Sequence, residues 1–453
     1  MNILLINPKT CLSDSADYRH STQFPVGLAI VKRILRNDGH SVYVLDINSE
    51  NLSNNDVVNR LKFFKGKSID FVGITAMSTQ YAYVKWLSSI IKESLDNVSI
   101  VLGGCLARFN YDIVLLKTNI DICFLRDAER FLIDFVDSFD LKYINGVAYL
   151  DDDDNIVVND LTCWEPESCD VVPDYEGFFI NNIMRSNRIY TIMTSRGCPY
   201  NCHFCSRMFD KYTMRSIDSI KDELDFYNKN ASFGFDYVAI CDELALSSVD
   251  RATNISETVG KYGKWYANGR VNLVNDDILA VASSNNCFTI TFGVESCSDD
   301  ILIKMNKGAN VENIYNAIVK CDKFGIRPNI QLIFGFLGEN NKSFNDTLSF
   351  LFDLKDIFRR HGVSMGFANI TPLPGSWLFD YCVNNGIINN NIDDIEKYLI
   401  SLQGGFNKLR VNLTEWSDSE LGVAVHKRNK FVENMNYYIG NRNNSVSISD
   451  YLI

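Results

Sequence analysis

The segment GCPYNCHFCS carries three cysteines, Cys198, Cys202 and Cys205, spaced so that one short loop can set three thiolates on three corners of an iron-sulfur cube. Such a set leaves a fourth iron without a protein ligand. Clusters that only carry electrons take four cysteines, so three point to a small molecule bound directly to the open iron. The competing reading is a zinc site completed from elsewhere, to which His203 could contribute. Against zinc, no second Cys-x2-Cys pair or His-x3-His follows at zinc-ribbon distance. An apolar run, Tyr190 to Met193, leads into the loop and predicts a strand whose carboxyl end the cysteines occupy.

The elements that must position this loop read as two successive strand-helix alternations. In the first, Asn2 to Ile6, Val42 to Asp46, Phe71 to Thr75, Ser99 to Leu102 and Ile122 to Leu125 are continuous apolar strands. Helical stretches such as Val26 to Leu35 and Tyr81 to Ser94 separate them. Strands apolar on both faces predict an α/β domain, doubly wound and flavodoxin-like, with a parallel sheet covered on both sides. The run INGVAYLDDDDNIVVN reads as a hairpin turning on a solvated acidic stretch, and 160–188, with Pro166 and Pro173, as a linker. In the second alternation the strands are Tyr190 to Met193, Asp236 to Cys241, Lys264 to Ala267, Phe288 to Gly293, Asn329 to Phe334 and Ser364 to Ile370. Helices such as Ile217 to Tyr227, Val311 to Lys323 and Phe344 to Phe358 join them. Six units are too few for a closed eightfold barrel and predict a (β/α)6 partial TIM barrel with its chemistry at the carboxyl ends. The expected organisation is a first domain over 1–142, hairpin and linker over 143–188, the partial barrel over 189–376, and a helical C-terminal region over 377–453.

A chain of 453 residues with 46% apolar and 22% charged residues is ordinary for a globular protein of two or three domains. Its net charge of -12, without a basic run or aromatic-basic stripe, argues against nucleic acid. No run reaches membrane-spanning length, and MNILLINP reads as a buried strand rather than a leader, so the expectation is a cytoplasmic protein. An odd total of 13 cysteines fits a reducing compartment. Cys105, Cys123, Cys241, Cys287 and Cys297 read as core residues, Cys163 and Cys169 as linker residues, His361 and His426 as surface residues, and Lys304 and Lys307 as solvated lysines, with binding of an acidic substrate as the alternative.

The order of strand, Ser-Arg-Gly and C-x3-C-x2-C resembles the signature of the radical S-adenosylmethionine (SAM) enzymes. That resemblance implies a [4Fe-4S] cluster on Cys198, Cys202 and Cys205, with the amino and carboxylate groups of SAM on the open iron. Reductive cleavage would then release a 5′-deoxyadenosyl radical that removes hydrogen from an unactivated carbon. It further implies that Phe204 lies beside the adenine, unless it is a ring packed on the barrel. Asp242 and Glu243, ending the second strand, would face the SAM ammonium or solvent. Arg270, in WYANGR, would pair with the SAM carboxylate or form a surface salt bridge. Glu295 in FGVES matches the family's Gly-x-Glu-Ser element, facing SAM or the substrate cavity. Gly335 and Gly338 in FGFLGEN resemble glycines that admit the nucleoside, although glycines also make turns. TPLPGS is similar to the Pro-x-Pro-Gly turn of many relatives. The elements run in family order over residues 190–376.

The first domain resembles the cobalamin-binding modules of the B12-associated class. QFPVGLAIVKRIL looks like the class's first helix, VGITAMST like its hydroxyl-bearing third strand, and VLGG like its fourth-strand Gly-Gly. The resemblance implies that Thr75, with Ser78 or Thr79, and Gly103, Gly104 and Glu129 line the nucleotide tail of cobalamin. The Asp-x-His-x-x-Gly motif that supplies a histidine to cobalt is absent, leaving His20 as a replacement ligand or none. GGCLAR stands where relatives often have Gly-Gly-Pro-His, and RDAE where they have Gly-Glu-Gly-Glu, retaining only Glu129. The implied function is a cobalamin-dependent radical SAM C-methyltransferase acting on a small molecule or peptide, with an electron donor such as flavodoxin or ferredoxin. The alternatives are a radical SAM dehydratase, epimerase, cyclase or rearrangement enzyme with a vestigial B12 domain, and an iron-sulfur redox sensor or binding module.

Overall fold

The computed structural model describes residues 1–9, 12, 24–130, 132–138, 140–161, 170–180, 188–230, 234–403, 405–441, 447–449 and 451–453. His20, Cys163, Pro166 and Cys169 lie outside the described residues. The chain forms two compact units, one of Met1–Arg188, Ser206–Gly234 and Leu373–Gly405, the other of Ile189–Cys205, Phe235–Pro372 and Phe406–Ile453.

In the first unit, strands β1 (Asn2–Asn7), β2 (Ser41–Asp46), β3 (Phe71–Thr75), β4 (Ser99–Gly103) and β5 (Ile122–Phe124) are all parallel. Their order, β2-β1-β3-β4-β5, is that of a doubly wound sheet. Leu4, Ile6, Val72, Ile74, Ile100 and Leu102 are buried in one core with Leu87, Ile91 and Ile113 from the helices Tyr81–Ser94 and Cys105–Lys117. The hairpin β6 (Val147–Leu150) and β7 (Ile156–Val158) adds two antiparallel strands beyond β5. Its turn is organised by Asp151, whose Oδ1 accepts the amides of Asp153 and Asn155 at 3.0 and 2.8 Å.

In the second unit, β8 (Ile189–Ile192), β9 (Tyr237–Ile240), β10 (Lys264–Gly269), β11 (Cys287–Glu295), β12 (Arg327–Phe334) and β13 (Phe367–Asn369) form an open six-stranded parallel sheet in chain order. This is the expected partial barrel. The register slips between Gly293 and Glu295 at the end of β11, where Glu295 takes a φ of 66°. The single helix expected over Phe344 to Phe358 is two, Asn341–Asp353 and Lys355–His361, joined at Leu354, whose side chain is buried at the joint. No helix among the described residues is long and apolar enough to cross a membrane.

The C-terminal segment has a definite place in this unit. Leu409 to Trp416 lies along the loop after β12, with Gly338 N donating to Leu413 O and Glu415 N to Glu339 O, both at 2.9 Å. Trp416 stacks on Phe334 at 6.1 Å between centroids and donates its indole N–H to Asn341 Oδ1. Beneath this strap Glu339 is buried, its Oε2 accepting Gly335 N at 2.6 Å. Burial pushes the Glu339 carboxyl up from 4.5 to about 7, against the Gly335 amide and the Arg428 guanidinium that draw it down. A carboxyl with a raised native pKa holds its proton more firmly in the folded state, so its stabilisation is complete below pH ~4.5 and is lost as pH rises through ~7. Glu339→Gln is therefore expected to flatten the stability profile, removing a loss of up to about 3 kcal/mol between pH 4.5 and 8. Anaerobic denaturant titrations of both proteins across that range check this.

Candidate functional site

Past β8 the chain runs through Thr194, Ser195 and Arg196, all buried, into the cysteine loop. What holds this approach is Asp242, two residues beyond β9. Its carboxylate accepts Thr194 N at 2.6 Å, Thr194 Oγ1 at 2.5 Å and Ser195 Oγ at 2.6 Å. The side chain is 1% exposed. Burial raises its pKa and these donors oppose the rise. Asp242, expected to face the SAM ammonium or solvent, is thus turned inward as the anchor of the loop. Its neighbour Glu243 is exposed and electrostatically coupled to Cys198 and Cys205.

A second support lies in residues 304–308, after the helix Asp299–Lys304. His203 N donates to Met305 O at 2.9 Å, His203 Nδ1 to Lys304 O at 2.8 Å, and Asn306 Nδ2 to Asn201 O at 2.7 Å. His203 is therefore engaged in holding the loop. Sequence reasoning missed this bracket; the signal was the Asn-Lys-Gly turn, where Asn306 takes a φ of 51°, a conformation asparagine tolerates better than most residues.

The donor set fits an iron-sulfur cube better than zinc. Among the described residues, the only three His, Cys, Asp or Glu ligand atoms within 4.8 Å of one another belong to Asp38, His40 and Asp137. At least one pair of the three thiol sulfurs is thus more than 4.8 Å apart, beyond the separation of roughly 3.8 Å that tetrahedral zinc with ~2.3 Å bonds demands. Burial raises the Cys198 thiol, and it pushes Cys205 up to about 12 with help from Glu243, Cys202 and Cys198, although the Cys205 residue as a whole is exposed. Thiols at a site of this kind become thiolates once a cationic centre sits among them.

Around the loop, Phe204 is half-buried, edge-on to Phe336 at 6.5 Å, with Lys307 Nζ 5.7 Å from its ring centroid. Lys307, read from the sequence as solvated, is buried and donates to Glu295 Oε1 at 2.9 Å. The strand bulge turns Glu295 onto this lysine, so its carboxylate is neutralised within the protein. Arg270 stacks on Tyr200 and reaches Cys202 and the Lys307 carbonyl. Gly335 has a φ of 87°, and a Cβ there would stand 2.6 Å from Leu409. The approach it permits is made by the strap. Cys241, expected in the core, is exposed because β9 ends at Ile240. Cys105, Cys123, Cys287 and Cys297 are buried as expected.

At the carboxyl edge of the first unit, Thr75 and Gly103 pair across β3 and β4, and both are half-buried. A Cβ on Gly103 would find nothing nearer than Ile74 O at 4.0 Å, so the strip beside it is open. Gly104 differs: at φ 84° its Cβ would lie 2.7 Å from Ala76 O and 2.9 Å from Thr75 Oγ1, so the fold itself requires glycine there. Ser78 is buried and donates its hydroxyl to Asn110 Oδ1 at 3.2 Å, while Thr79 and Glu129 are half-buried. Gln80 Nε2 donates to Pro8 O at 3.0 Å and so ties the loops after β1 and β3 together. Open backbone at Gly103 beside the Thr75 hydroxyl fits the extended tail of a corrinoid. Arg126, at the head of RDAE, and Arg108, in the helix that follows Gly104, both reach the Asp210 carboxylate.

Residues 192–351 match the radical SAM superfamily and residues 16–135 the B12 binding domain. The chain belongs to the radical SAM superfamily. It is a radical SAM enzyme with a B12-binding domain ahead of its barrel, the combination that carries the [4Fe-4S] cluster, SAM and cobalamin. This radical SAM enzyme is 27% identical over 404 residues to an uncharacterized methyltransferase of Pyrococcus horikoshii, covering 86% of this chain and 84% of that one. Its fold matches the cobalamin-dependent S-adenosylmethionine radical enzyme OxsB at a TM-score of 0.69 and 16% identity, over 97% of this chain and 70% of that one. The radical S-adenosylmethionine methyltransferase TsrM from Kitasatospora setae matches at a TM-score of 0.69 and 15% identity, over 86% and 78%. At such identities the two structures speak for the fold.

Asp242 and Glu243 separate in a simple experiment. Asp242→Ala strands three buried donors and is expected to cost about 3 kcal/mol of stability and to lower bound iron. Glu243→Ala should stay within about 0.5 kcal/mol of the parent. Chemical denaturation and iron analysis of reconstituted protein check both.

Proposed function

We propose that this radical SAM enzyme is a cobalamin-dependent C-methyltransferase acting on a small molecule or peptide. The observation that carries the reading is the pairing of an open-cornered cysteine set with a strand edge left clear at Gly103. The Pyrococcus horikoshii relative, named a methyltransferase and alike over most of both chains, supports it. When bound, the cluster supplies the electron that opens the SAM sulfonium, and cobalamin supplies a carrier for the methyl group.

In this reading Cys198, Cys202 and Cys205 hold the cluster, and Asp242 with the 304–308 bracket keeps their loop in place. Glu243, exposed and close in charge to two of the thiols, takes the SAM ammonium, with Phe204 beside the nucleoside. Glu295 contributes through Lys307, which it holds under Phe204. Thr75 offers a hydroxyl to the cobalamin tail along the Gly103 strip. The electron comes from a donor such as flavodoxin or ferredoxin. A cytoplasmic setting agrees with ten described cysteines, all of them free thiols.

Protein reconstituted with iron, sulfide and hydroxocobalamin without oxygen is expected to retain the corrinoid, seen by visible absorption, to form 5′-deoxyadenosine, and to add one methyl group to its substrate. Gly103→Val fills the strip without straining the backbone. It should weaken corrinoid retention about tenfold while leaving iron content and 5′-deoxyadenosine formation unchanged. Corrinoid bound equally by both proteins would remove cobalamin from that edge. 5′-Deoxyadenosine without corrinoid retention or methyl gain would favour a radical enzyme that does not methylate.

A further inference from the structure

Arg270 directly follows β10 and is 8% exposed. Its guanidinium carbon lies 3.5 Å from the Tyr200 ring centroid, a stacked cation-π contact. Nη2 donates to Lys307 O, Nε to Asn272 Oδ1 at 3.3 Å, and Nη1 points at Cys202 Sγ, 3.6 Å away. Among the described residues, no carboxylate pairs with this guanidinium. A buried cation is costly unless an opposite charge lies near it, and the group here that can carry one is the cysteine sulfur.

Hydrogen bonds to its sulfurs are one of the levers that set an iron-sulfur cluster's potential, and groups that orient a metal's ligands tune the metal. We propose that Arg270 is a positioning residue of the cluster: held flat on Tyr200 and fixed by the Lys307 carbonyl, it donates an N–H to the Cys202 thiolate and favours the one-electron-reduced state. This rests on the reading of the three cysteines as ligands of a [4Fe-4S] cluster. The step is simple in its balance, since the cluster takes one electron from a low-potential donor and no bond or proton moves. A guanidinium suits the task because it stays charged at any working pH and its planar fork holds several bonds at once.

The experiment is a redox titration followed by electron paramagnetic resonance on anaerobically reconstituted parent, Arg270→Gln and Arg270→Lys, with dithionite and mediator dyes and with iron and sulfide measured on each sample. Arg270→Gln should keep its iron while the equilibrium constant for reduction falls about tenfold, about 59 mV more negative for one electron. Arg270→Lys keeps the charge but loses the flat fork, so its potential should fall between. A merely structural role would lower iron content or thermal stability and leave the potential where it was. Arg270→Gln at the parent's potential with full iron overturns the proposal. If Arg270→Gln holds no iron, Arg270→Lys and Tyr200→Leu decide: a negative shift in either supports the proposal, and parent potentials in both overturn it. Parent protein with no [4Fe-4S] signal at all overturns the cluster reading and this proposal with it.

Discussion

With Cys198, Cys202 and Cys205 proposed as the ligands of one cluster, three sulfurs have to be kept near one another without collapsing together or drifting apart, and the loop 198–205 is too short to hold that arrangement by itself. The second unit answers with supports from two strand ends and one helix end. Asp242, after β9, grips Thr194 and Ser195 ahead of the loop. Residues 304–308, beyond β11, bind the loop backbone at Asn201 and the backbone and ring of His203. Arg270, after β10, stands beside Cys202. Parallel strands in chain order bring all three to one edge, which is why a partial barrel can serve as the frame.

The acidic residues divide by burial. Asp242 and Glu339 are shut in by backbone amides and hydroxyls, and Glu295 by Lys307, so each shapes the site from behind. Glu243 is the one whose side chain reaches the surface beside the thiols. Adjacent residues leaving a strand point to opposite sides, so Asp242 and Glu243 had to take opposite parts. Which took which depended on where Thr194 and Ser195 lay.

In the first unit a shared carboxylate ties a helix to a loop. Arg108, in the helix Cys105–Lys117, and Arg126, in the loop after β5, converge on one carboxylate, Asp210. The Gly-Gly pair has two meanings. Gly104 is glycine because its own backbone leaves no room, and Gly103 because space is kept beyond it.

Strand positions, the parallel sheets, the six-strand barrel and the cysteine triad were all legible in the amino-acid order, because apolar runs and short-range spacing are local and survive without any knowledge of partners. The chain could not reveal that Lys307 is buried against Glu295, that Leu409 occupies the space at Gly335, or that Arg270 attends a thiol. Each of those is a meeting of residues 12 to 74 positions apart, and a side chain's charge partner is chosen by which strand ends the fold sets side by side. Local pattern determined what kinds of groups surround the loop; tertiary packing decided which of them it buries and which it leaves to face a ligand.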